Sequence, residues 1–111
     1  MSATVKQLEN QLNNAKKLVE KRDLVLKLSK IPEFKQAILE DFCVTECARY
    51  AQLSADPSMD EGSQKDALGL AQAAGHLRRY LTVVVQMGDN AENSIPALED
   101  EIIATREEED A

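Results

Sequence analysis

The sequence predicts an all-α protein, a long antiparallel helical hairpin of coiled-coil type whose first arm is broken at Pro32. Three observations carry that expectation. Apolar residues recur at helical spacing in three segments. The clearest turn, Ala55-Asp56-Pro57-Ser58, lies at the midpoint of the 111-residue chain. And two Phe, two Tyr and four Gly stand against 30% charged residues, a composition that favours helices with thin Leu, Ile, Val and Ala seams over a thick core.

The first helix is expected over about residues 3–29. Val5, Leu8, Leu12, Ala15, Val19 and Leu26 follow alternating steps of three and four, a heptad seam in which Arg22 is the one polar intrusion. Leu18, Leu24, Val25 and Leu28 widen the stripe toward its end. The helix stops at Ser29-Lys30-Ile31-Pro32. Proline drives the residue before it out of the α region and is itself suited to the first position of a new helix.

The second helix is expected over about residues 32–54. It is apolar on two sides, with Phe34, Ile38 and Phe42 in one stripe and Leu39, Cys43, Cys47 and Tyr50 in another, so it has neighbours on both. The first stripe is expected to lock it against the start of the third helix.

That third helix is expected over about residues 58–106. Ser58-Met59-Asp60-Glu61 reads as a capping box, serine and glutamate each accepting from the other's amide. Ala67, Leu70, Ala74, Leu77, Leu81, Val84, Gly88, Ala91, Ile95, Leu98 and Ile102 occupy eleven successive seam positions. Only Gly88 among them lacks an apolar side chain, and there a partner helix can approach closely. The phase runs unbroken across Pro96, which predicts one kinked helix, with a true break near Asn93-Ser94 as the alternative. Glu107-Glu108-Glu109-Asp110 repel one another, and residues 107–111 are expected to fray as an acidic tail.

The two helices before the turn together match the third in length, each arm about 70 Å at 1.5 Å per residue. A hairpin therefore pairs residues end to end. It also sets Lys6, Lys16, Lys17 and Lys21 against Glu92, Glu99, Asp100, Glu101 and Glu107. The alternative, an up-down-up three-helix bundle, leaves half of the third helix overhanging. Either way, residues 1–111 form a single helical domain that buries little alone and is expected to oligomerise or dock on a larger surface. Phe34, Ile38, Phe42, Leu70, Leu77, Leu81 and Val84 are the candidate structural and partner-contact residues.

Charge is unevenly placed. Residues 1–35 hold eight Lys/Arg and four Asp/Glu, residues 36–111 five and sixteen. A net charge of −7 disfavours binding to a phosphate backbone. No apolar run approaches the roughly 20 residues that span a bilayer, and Met1 to Glu20 is too polar for a signal peptide, so synthesis and assembly in a cytoplasm are expected.

Cys43 and Cys47 share a helix face, but His76 lies on another helix, which falls short of a zinc ligand set. Both thiols are expected to be small core residues. A bond between them would draw Cβ atoms from about 6 Å to about 3.8 Å, which leaves only an intersubunit disulfide open. His76-Leu77-Arg78-Arg79 is either a contact for an acidic partner or a solvated face with ion pairs to the second helix. No phosphate loop, nucleophile elbow or His-Glu zinc motif occurs, and carboxylates on solvated faces have nothing to separate their pKa values. No enzymatic activity and no cofactor are expected.

The stretch Lys30-Ile31-Pro32-Glu33-Phe34-Lys35-Gln36-Ala37-Ile38-Leu39-Glu40-Asp41-Phe42 resembles a family of small helical proteins encoded by tailed bacteriophages. The likeness continues through Glu46-Cys47-Ala48-Arg49 and Leu53-Ser54-Ala55-Asp56-Pro57, and more weakly along Gln64 to Ala91. It departs at Asp41-Phe42, where relatives often have Gly-Tyr, and at Cys43 and Cys47. The resemblance implies a setting rather than a mechanism: a virion structural protein, assembled in the host cytoplasm, that docks on capsid, neck or tail proteins or on itself. A scaffold or chaperone of assembly, and a small regulator of a host protein such as RNA polymerase, are the alternatives.

Overall fold

A computed structural model describes residues 4–111 of the chain, and those residues are helical apart from Thr4, Ala111 and two short connections. Helix α1 is Val5–Ser29. Its expected start at residue 3 lies outside the described residues. A reciprocal cap closes its first turn: the Gln7 amide donates to Thr4 Oγ1 (3.2 Å) and the Thr4 amide to Gln7 Oε1 (2.9 Å).

The break after α1 falls where expected. Ile31 is extended (φ −74°, ψ 119°) and Pro32 opens the next helix, where its missing N–H costs no hydrogen bond. Helix α2 comprises an α-helical turn Pro32–Phe34, a π-helical stretch Lys35–Glu46 and a second α-helical segment Cys47–Ser54. The Cys47 amide still donates back five residues, to the Phe42 carbonyl. Gln36 Nε2 donates to Asp41 Oδ1 (2.8 Å), a pair five residues apart that the wider π turn brings onto one face.

Helix α3 is Glu61–Asp110 and continues through Pro96 without a break. It differs from expectation at both ends. The start lies three residues later because Asp60, not Ser58, caps it: Asp60 Oδ1 accepts the Ser63 amide (2.8 Å) and Oδ2 accepts Ser63 Oγ (2.9 Å). Ser58 is instead held in the turn, where its amide and hydroxyl both donate to Asp56 Oδ1 (2.9 and 2.7 Å). The acidic tail does not fray; it is helical to Asp110, as the high helix propensity of glutamate allows.

The chain forms two compact units. One joins the first arm up to Val25 to Val84–Ala111, and the other is Leu26–Val83. In the first, Arg22 meets Asp89 and Glu92 while Glu9 meets Arg106, so α1 and the later part of α3 run antiparallel. An up-down-up bundle would run them parallel; the hairpin is the arrangement formed. In the second unit α2 turns back through Ala55–Asp60 onto the earlier part of α3, with Cys47 Sγ donating to the Ala71 carbonyl (3.5 Å). Cys47 lying opposite Ala71 puts Phe34 well beyond the start of α3, not against it as expected.

Candidate protein-contact surfaces

The seam of the first unit is built from small and medium side chains. Leu8 and Ala15 of α1 and Val84, Ala91 and Ile102 of α3 are buried, as the heptad pattern requires, but at the end of the α1 seam Val25 is buried in place of the expected Leu26, which is exposed. At one level both seams break their own rule. Arg22, the single polar seam residue of α1, is 8% exposed, and it faces Gly88, the single seam residue of α3 without a side chain. A Cβ built on Gly88 would clash with Arg22 Cβ and lie 2.8 Å and 2.9 Å from its Cγ and Cδ. The glycine thus makes room for the arginine stem.

The guanidinium emerges at the edge of that packing. It donates from Nη1 to Glu92 Oε2 (2.5 Å) and Asp89 Oδ1 (2.9 Å), and from Nη2 to Asp23 Oδ1 (3.0 Å). Its bonds to these three acids, Glu92 first, hold it firmly charged. The acids themselves are more than half exposed, so the arrangement is a buried stem with a solvated ion-paired head. Because the acids stay largely in water, most of what Arg22 contributes comes from its stem packed against glycine.

The basic first arm and the acidic later part of α3 lie together as the hairpin requires, through Arg22 with Asp89 and Glu92 and through Glu9 with Arg106. Lys6, Lys16 and Lys17 make no ion pair among the described residues, whereas Arg22 and the reversed pair Glu9–Arg106 do. Guanidinium reaches two acceptors at once with less entropy lost per bond than an ammonium.

Beside this seam an open groove of about 560 Å³ runs along the same helix pair. Its floor is Ala15 and Ala91, both buried. Leu18, Met87 and Leu98 form its apolar walls, and Gln11, Asn14, Asn90 and Ser94 its rim. Met87 is 46% exposed.

The predicted contact residues divide between the units. Phe34, Ile38, Phe42, Leu77 and Leu81 are half-buried in the second, and Val84 is buried in the first. Leu70, also in the second, is exposed, as are Val44, Leu68 and Tyr80. Both cysteines are free. Cys43 is buried, which pushes its thiol pKa up against the opposing pull of Arg78, and a protonated buried thiol is unreactive. Arg78 and Arg79 are exposed and form no ion pair with α2 among the described residues. On α2, Arg49 pairs with Glu46 (2.6 Å) and stacks over the Tyr50 ring at 4.6 Å.

Sequence reasoning flagged Arg22 and Gly88 as separate anomalies and did not pair them. The signal was present: folding the chain about its central turn brings position 22 beside the Gly88–Glu92 turn of helix. Among the described residues, no helix is long and apolar enough to cross a membrane and no group of three or more His, Cys, Asp or Glu converges on one point. No family model, curated protein or solved structure matches the chain.

Proposed function

We infer that this chain is a non-enzymatic structural protein of a tailed bacteriophage particle, docking through its helix faces on capsid, neck or tail proteins. The observation that carries the contact role is the surface. Leu24, Val44, Leu68, Tyr80 and Ile103 are between 46% and 67% exposed, and no large side chain among the described residues is fully buried. Leaving such groups in water forgoes about 25 cal/mol per Å² that a partner surface would recover. The phage setting is supported by the resemblance along residues 30–42, 46–49 and 53–57, and more weakly along 64–91. A scaffold that leaves before maturation would have the same surface.

Affinity capture with tagged chain from infected cells tests the reading. Recovery of phage capsid, neck or tail proteins at stoichiometric yield is the expected result. Recovery of a host enzyme alone would replace it with a regulator of the host.

A further inference from the structure

The nine residues that line the groove of the first unit carry no charge, in a chain where 30% of residues are charged. Surface that stays in water has no reason to shed charge, whereas the centre of an interface does, because each buried charge must be desolvated. We propose that this groove seats the same face of a second copy of the chain, making a two-fold arrangement of four helices from α1 and the later part of α3.

Three properties select a second copy over another partner. The chain carries −7, so most of its faces repel one another, and copies meet at least cost where no charge is present. A two-fold contact must also be self-complementary. The rim amides of Gln11, Asn14 and Asn90 each donate and accept, so identical rims satisfy each other, which rims of one charge sign cannot do. The relief is complementary as well: Leu18, Met87 and Leu98 project beside the small floor of Ala15 and Ala91, so the walls of one copy fill the floor of the other. Residues 5–25 and 84–110, about 31 and 40 Å of helix and together about 20 Å wide, present ~700 Å² per copy, within what a stable interface buries, with the uncharged groove as its core and the flanking turns as its rim.

This inference does not depend on the phage setting; absence of the chain from particles would leave it standing. The test is sedimentation equilibrium of the full chain with three single variants, circular dichroism confirming that each is helical. Wild type is expected to dimerise at micromolar concentration, and added salt should not weaken the dimer. Met87→Glu places a charge on an exposed wall residue and should weaken the dimer by about tenfold or more. Ser94→Glu places the same charge on the rim with a stronger helix former and should do likewise. Thr82→Glu, exposed on α3 away from the groove, adds equal charge and should leave the dimer unchanged. A wild-type monomer at about 100 µM, above the micromolar range expected of such an interface, would overturn the proposal. So would a dimer indifferent to both groove charges, or one weakened equally by Thr82→Glu.

Discussion

Gly69, Gly75 and Gly88 all lie inside α3, yet only Gly88 has a neighbour where a Cβ would go. Alanine at position 69 or 75 meets nothing within 4 Å and gains helix propensity, so each change should stabilise the fold by about 1 kcal/mol. Alanine at 88 gains the same propensity but forces α1 and α3 apart, and the net effect should be a loss of about 1–3 kcal/mol. Because the nearest atom is Arg22 Cβ, which every residue but glycine keeps, shortening Arg22 to alanine should not rescue Gly88→Ala. Thermal melts of the three alanine variants and the double variant check this. Equal gains at all three glycines would show that α1 does not approach Gly88.

At the scale of the elements, the ends of α3 show what local pattern can and cannot decide. Ser58-x-x-Glu61 and Asp60-x-x-Ser63 are both cap signatures, two residues out of phase. The first lost because Asp56 captures Ser58 in the turn. The Asp56 and Asp60 carboxyls are both held below the ordinary aspartate range, chiefly by the amide bonds from Ser58 and Ser63. A depressed folded-state pKa contributes stability that is present above the unfolded value and lost as pH falls through the folded one. The melting-temperature difference between wild type and Asp60→Asn should therefore be constant near neutrality and shrink below about pH 4. Taking the difference cancels the relief of acidic repulsion that protonation brings to both chains. A gap unchanged down to pH 2 would mean that Asp60 does not cap α3 as a carboxylate. The π-helical stretch of α2 was not legible, since its residues repeat at three and four as an α-helix would. Only Gln36 and Asp41, five apart, hinted at the wider turn.

For the molecule as a whole, the helical class, the break at Ile31-Pro32 and the antiparallel return were legible, because proline chemistry and seam periodicity are local and the turn sits at the chain's centre. The seam of α3 ran as read from Ala67 to Ile102, with Leu70 the one position left exposed. The groove was not legible: it depends on which flank of each seam the partner helix leaves open, and a heptad pattern carries no such information. Ala15 and Ala91 were identifiable as seam residues, but not as the floor of an uncharged surface. The exposed leucines, the thin seams and the resemblance to small phage proteins are what the proposed structural role rests on. Quantitative mass spectrometry of purified mature particles tests that claim most directly. The chain should be recovered at a fixed small copy number relative to the major capsid protein and survive a high-salt wash, as an apolar contact does. Its absence from mature particles and proheads alike would contradict the structural role.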